Sequence, residues 1–305
     1  MNGRAARRSS RDSGFALVVV LSFLLIAAAL TTPFVTGAHV QALATRNSSR
    51  TAREEILLRG LVEMAATRYI ELYENPDAQS VTDVICPAPH VGRPDIAFHF
   101  QDHRGLIDLN AASQDVLVIG FEALSLERNE AEKLASEAVR FRSVESGQNS
   151  VPSGAVPRYG YKRGLFESTA ELTDLAAFPR VQAGAVNRVF SVHSGTGTVD
   201  RTAAQGELLA RLAGLKENDS YFVVNDARRG TAFTVTASLR TNDRRQVSGS
   251  AIMGQGENLP SPRLLEPLVF ERGFAKGSPV ANPGAIACDG YFDPVLLEVL
   301  ARVLS

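Results

Sequence analysis

Tryptophan is absent from this chain, methionine occurs three times, and cysteine only twice, at Cys86 and Cys288. Two cysteines exclude a four-thiolate metal knuckle and a dense disulfide scaffold, and allow one bridge at most. An excess of charge of one sign is also lacking, with 32 Lys and Arg against 33 Asp and Glu for a formal net charge of -1. No global basic field can therefore recruit nucleic acid, and any such contact would have to be a local site. The chain has no glycine-rich phosphate loop, no Ser/His/Asp constellation and no catalytic pair of carboxylates. Its 305 residues, 45% of them hydrophobic, suffice for an anchor plus one large domain or two modest ones.

A long uncharged run is present. Residues 1–14 form a basic leader with Arg4, Arg7, Arg8 and Arg11 against Asp12, ending in Ser13-Gly14. From Phe15 to Thr45 only His39 can titrate, and Phe15 to Val35 supplies 21 apolar or small residues. A helix needs about 20 residues to cross the hydrocarbon of a bilayer. Three plain readings compete for this segment. Ala42-Leu43-Ala44 resembles a secretory cleavage site, but the apolar core is longer than the about 7–15 residues of a signal peptide. Arg7-Arg8 is followed by Ser-Ser-Arg rather than by the apolar residues of a twin-arginine signal. An uncleaved signal anchor would place the same domain outside. Arg46, Arg50 and Arg53 beyond the run leave only a small excess of positive charge on the leader side.

Past the anchor, Ile56, Leu57, Leu61, Met64, Ala65 and Leu72 recur at helical spacing, which predicts one helix continuing to Tyr73, stopped by Asn75-Pro76, with a kink or local opening at Pro33. Residues 75–94 carry Pro76, Pro87, Pro89, Gly92 and Pro94 and read as a loop. Residues 95–100 alternate with Ile96, Phe98 and Phe100 on one face, a half-buried strand. His99 and His103 have no accompanying carboxylate or cysteine cluster and are expected as solvated side chains on the outer face.

That strand runs into Gly105-Leu106-Ile107-Asp108-Leu109-Asn110-Ala111-Ala112-Ser113, where Asn110 is expected to cap a helix beginning at Ala111, with Asp115 near its positive end. A second copy lies about 92 residues on, at Gly197-Thr198-Val199-Asp200-Arg201-Thr202-Ala203-Ala204-Gln205. Thr202 and Gln205 there have capping-box spacing, and Glu207 occupies the place of Asp115. Helical patterns at 125–142, 168–177 and 182–190, broken by a Gly/Ser/Pro-rich loop at 143–164, make the intervening region mainly α. Residues 171–179 have the form of a helix-hairpin-helix, whose turn glycines would expose N–H groups to DNA phosphates. Here those places hold Ala177 and Pro179 and no basic cluster surrounds them, so a packing module is expected. After Asp219 the pattern turns to strands at 221–224, 231–239 and 246–253, with Asn242-Asp243 at a turn.

The Gly14-Phe15 junction after a basic leader resembles a prepilin leader, and together with the Gly105–Ser113 motif the chain resembles general secretion pathway protein K, the K-type minor pseudopilin of type II secretion. The resemblance covers roughly residues 12–270. It implies an α+β fold: a long N-terminal membrane helix and a pilin-like antiparallel sheet interrupted by a mainly α inserted domain. The implied division is a leader 1–14, an anchor and packed helix 15–74, a loop and strand 75–109, the insert 110–218, returning strands 219–272 and a tail 273–305. It further implies cleavage between Gly14 and Phe15 by a prepilin peptidase, N-methylation of Phe15, and a capping and nucleating role in the pseudopilus beside I- and J-type minor pseudopilins and the major pseudopilin. The glutamate that pilins carry five residues into the mature chain is replaced by Val19, as suits a subunit with no neighbour above it whose amino terminus could pair with a buried carboxylate. The implied location is the inner membrane with a periplasmic body, where a Cys86–Cys288 disulfide is chemically allowed. No enzymatic activity and no nucleic acid are expected. Calcium is allowed by resemblance only, with no ligands assigned. Asp108, Asn110, Asp200 and Thr202 are read as structural. The rival functions are a membrane-anchored helix-hairpin-helix DNA-binding protein and an extracytoplasmic hydrolase.

Overall fold

The computed structural model describes residues 12–73, 81–86, 95–143, 162–181, 183–215, 222, 232–240, 245–254, 262–274, 285–296 and 298. The expectations for Arg4, Arg7, Arg8 and Arg11, for most of the 75–94 and 143–164 loops, for Asn242-Asp243 and for all of 221–224 except Phe222 lie outside the described residues. By internal contacts the chain forms two units, Met1–Leu57 and Leu58–Ser305, and the boundary falls inside the first helix.

That helix, α1 (Asp12–Tyr73), is 62 residues long with Pro33 inside it. Its first-unit part is a run of exposed apolar side chains, from Phe15 at 74% exposure to Leu43. It is long and apolar enough to cross a membrane, with a mean hydropathy of 2.6 over its best window. The hydroxyls of Thr31, Thr32 and Thr36 donate back to carbonyls one turn earlier, which satisfies them without water.

In the second unit, residues 58–73 of α1 bury Leu58, Leu61, Val62, Ala65, Ala66, Tyr69 and Ile70, a stripe at helical spacing. The expected stripe was rotated: Leu61 and Ala65 are buried, Met64 and Leu72 are half-buried, and Ile56 is 74% exposed. Aromatic packing selects the face. Tyr69 stacks on Phe100 with ring centroids 5.0 Å apart and lies 4.7 Å from Phe233.

Both rings belong to a seven-stranded sheet. Its strands are β1 (Asp83–Cys86), β2 (Asp95–Asp102), β5 (Ala232–Arg240), β6 (Arg245–Gly254), β7 (Arg263–Leu264), β8 (Val269–Phe274) and β9 (Ile286–Ala287). They follow the order β7-β6-β5-β2-β1-β9, with β8 also on β6. Alternation puts Ile96, Phe98, Phe100, Val235, Ala237, Val247 and Ala251 in the core, as the patterning predicts. Strand β1 falls in the expected loop 75–94. It pairs antiparallel with β2, Cys86 opposite Ile96, because Val84 and Cys86 alternate inward although prolines follow them. The expected tail also rejoins the body: β9 pairs parallel with β1, and α6 (Cys288–Tyr291) follows it.

Between β2 and β5 lies the helical insert. Ahead of its helices, β3 (Ile107–Asp108) pairs parallel with β4 (Phe190–Ser191) in a separate two-stranded sheet. Helices α2 (Gln114–Ala123), α3 (Arg128–Arg142), α4 (Ala183–Val186) and α5 (Gly206–Leu212) and a 3-10 turn at Thr169–Asp174 complete it. Helix α2 is central, with Val116, Leu117, Val118, Ile119, Gly120, Phe121 and Ala123 all buried. At Gly120 a methyl group would meet the Phe190 ring at 2.6 Å, so glycine permits this approach.

Candidate functional site

The two copies of the strand-to-helix motif lie at the start and near the end of the insert, and each is organised by a buried aspartate. Asp108 Oδ1 accepts the backbone N–H groups of Asn110 at 2.7 Å and Ala111 at 3.0 Å. Its Oδ2 accepts Ser194 Oγ at 3.0 Å and the Gly195 N–H at 2.7 Å. Gly195 reaches this position at φ 67°, a left-handed conformation that glycine adopts without strain. Arg142, on α3, donates to the carbonyls of Leu109 and Ala112, and burial lowers its pKa.

Asn110 does not cap α2. Its side chain makes paired bonds to the Phe166 backbone, accepting the N–H at 2.7 Å and donating to the carbonyl at 2.9 Å. Ser113 is the cap instead, accepting the Val116 N–H at 3.4 Å, and Asp115 lies in the first turn. The Asn110 amide is turned to the Phe166 backbone rather than to the N–H groups two and three residues on, and the helix starts one turn later.

The second copy behaves likewise. Asp200 Oδ1 accepts both the N–H of Thr202, at 2.9 Å, and its hydroxyl, at 2.6 Å, while Arg104 approaches Oδ2 at 3.6 Å. The expected capping box between Thr202 and Gln205 does not form. Helix α5 starts at Gly206 without a side-chain cap, and Gln205 donates to the Phe100 carbonyl at 3.1 Å. The copies also interlock reciprocally. A methyl group on Gly105 would overlap the Ala203 carbonyl, and one on Gly197 would lie 3.0 Å from the Ala111 carbonyl.

Of the two histidines before the motif, His103 departs from the sequence expectation and His99 does not. His99 is paired with Asp83 at 3.0 Å on the sheet's polar face. His103 is not solvated: it is 2% exposed, with Nδ1 2.7 Å from Ser191 Oγ and Nε2 2.8 Å from Thr234 Oγ1. Burial, and secondarily the nearby His193, push its pKa down to about 3. His193 pairs with Glu266 at 2.9 Å. These groups line an open cleft of about 700 Å³ between the sheet and the insert. A Ser–His contact invites a hydrolytic reading, but this imidazole is too weak a base at neutral pH, and its second nitrogen meets a threonine rather than an orienting carboxylate.

The hairpin at 171–179 offers phosphate little. The Ala176 N–H donates to Glu137 Oε1 at 2.8 Å, so a buried carboxylate of the protein already occupies an anion position there. The nearby Lys162 is held by Glu171 at 2.9 Å and Glu167 at 3.2 Å. Glu137 and Arg142 were not singled out by sequence reasoning. Each lies about 30 or more residues from its partner, and no local spacing announces such a contact.

Gly14 and Phe15 lie within α1, and Phe15 and Val19 are 74% and 50% exposed. Cys86 and Cys288 are joined as a disulfide with Cα atoms 4.7 Å apart, fastening α6 to β1. Beside it Tyr291 is buried, its hydroxyl donating to the Ala65 carbonyl and its own carbonyl accepting from Arg68, and burial raises its pKa. Among the described residues there is no group of three or more His, Cys, Asp or Glu that could hold a metal ion.

The class defined by these observations is an α+β protein with an apolar N-terminal helix and a helical insert in a mainly antiparallel sheet. No family model and no curated protein matches the sequence. Among solved structures, the chain is similar to one in the crystal structure of the GspK-GspI-GspJ complex from the enterotoxigenic Escherichia coli type 2 secretion system. That likeness has a TM-score of 0.46 and 11% identity, covering 77% of this chain and 100% of the other.

Proposed function

We propose that this chain is a minor pseudopilin of a type II secretion system, of the K type, and that it caps and nucleates the pseudopilus. The observation that carries the reading is α1: one uninterrupted helix begins as an exposed apolar segment and ends as the buried partner of an antiparallel sheet. An anchor that is also a core element suits a subunit that must be held in a membrane and still present a rigid body. The helical insert between β2 and β5 supports the K type, and so does Val19, whose apolar side chain needs no partner amino terminus in the bilayer.

In this reading a prepilin peptidase cuts before Phe15, the new amino terminus is methylated, and the body stands in the periplasm beside I- and J-type minor pseudopilins above the major pseudopilin. The buried carboxylates and arginines of the insert are structural, and the protein acts by assembly rather than by catalysis. Coexpression with a prepilin peptidase and mass spectrometry of the mature N-terminus tests it. A methylated Phe15 is expected; cleavage after Ala44, or none, overturns the proposal.

A further inference from the structure

The helical insert has a core of its own, a cluster of buried apolar side chains running from Ile107 to Leu212. Its seat on the main sheet includes contacts of another kind. Gln101 donates to the Arg188 carbonyl at 3.2 Å, Gln205 to the Phe100 carbonyl at 3.1 Å, and His193 meets Glu266 at 2.9 Å. His103 bridges the two bodies directly, touching Ser191 of β4 on one nitrogen and Thr234 of β5 on the other. The cleft opens beside this contact, with His103 and Thr234 among its lining residues. Polar contacts at such a boundary respond to a single proton far more than an apolar core does.

A neutral imidazole presents one donor and one acceptor, and each faces a hydroxyl able to take the complementary part. Ser191 Oγ already accepts the His193 N–H at 3.0 Å, which leaves its proton to donate to His103. The charged and titratable groups around the ring favour the neutral form. From the segment after β4 comes His193, its ring centroid 6.4 Å away, with Glu266 of the β7–β8 connection on its far nitrogen. On the same turn, Asp102 is engaged by Arg104 at 2.9 Å, and Arg104 also reaches Asp200. No carboxylate bonds to His103 itself among the described residues. A proton on this ring would have no counter-charge in contact.

We propose that His103 is an acid-sensitive latch between the helical insert and the sheet, closed while its imidazole is neutral and clamped between Ser191 and Thr234. Opening solvates the ring, which then takes up a proton at the ordinary histidine value of about 6.5. Below that value the open form gains up to about tenfold in population per pH unit, while the two cores stay folded. The seat of the insert thereby becomes sensitive to the acidity of its compartment.

Hydrogen exchange by mass spectrometry on the full chain in detergent, corrected for intrinsic exchange, tests this. Between pH 6.5 and 4.5, protection of the segment 189–194 should fall by up to about 100-fold while that of α2 is unchanged, and His103→Gln should flatten the dependence. Equal pH slopes in both proteins, or equal loss in α2, overturn the latch. Should the variant fail to fold, an NMR titration of the wild-type histidines decides. The His103 resonance should stay in its neutral position from pH 7.5 to 5, and a His103 that titrates near 6.5 without loss of its contacts refutes the proposal.

Discussion

Four hydrogen bonds converge on Asp108, a side chain 1% exposed. Asp108→Ala would strand those donors and should lower unfolding stability by about 3–5 kcal/mol, read as a fall in the denaturation midpoint with unchanged slope. Gly105 and Gly197 make a graded test of the interlock. A methyl group at Gly105 would collide with backbone that cannot swing aside, whereas at Gly197 the nearest atom is 3.0 Å away. Gly105→Ala should therefore cost clearly more than Gly197→Ala, with urea midpoints ordered accordingly. His103 gives the pH dependence of global stability as well. Its folded pKa of about 3 lies below the unfolded value, so its contribution is complete above about 6.5 and is lost as pH falls toward 3. The slope it adds is at most about 1.4 kcal/mol per unit, and His103→Gln should remove it from a denaturation series.

At the scale of elements, the C-terminal segment shows how little regular structure is needed when covalent and aromatic contacts assist. Strand β9 has two residues and α6 has four, yet Tyr291 and Phe292 are 1% and 3% exposed, with Phe292 set edge-on to Phe98. The Cys86–Cys288 bond closes a loop of 202 residues in sequence separation, so its loss should release much unfolded-chain entropy. Cys288→Ser, or reduction, should lower stability by about 2–5 kcal/mol in thermal melts, with proteolysis beginning in 285–298. If the variant melts like the wild type, the segment is held by packing alone. Helix α1 shows the complementary case: its second-unit face was set by Tyr69 against Phe100 and Phe233, not by the sum of apolar residues on the helix.

For the whole molecule, the balanced charge and the internal anion at Glu137 argue the same way about nucleic acid. The full chain in detergent should show no salt-dependent binding to duplex DNA; a log-log slope equivalent to several phosphates would reopen the hairpin reading. The buried polar groups of the insert join parts of the chain itself. Asp108, Arg142, Asn110 and Glu137 each tie together segments distant in sequence.

The amino-acid order alone determined the elements whose periodicity is strong: the uncharged run from Phe15, the alternation of β2, β5 and β6, and the two copies of the Gly-Asp-Ala-Ala motif. These are local regularities, visible because burial on one face imposes a period of 3.6 or 2. Tertiary structure decided the rest. Short β1 and β9 exist because β2 and a disulfide hold them, and Asn110 and Thr202 do not cap because the Phe166 backbone engages the amide of one and Asp200 the hydroxyl of the other. His103, four residues after a solvent-facing histidine, became a buried bridge because the chain folded Ser191 and Thr234 onto its two nitrogens from 88 and 131 residues away. A partner at that separation leaves no trace in local spacing, since only the packed chain brings the two ends together.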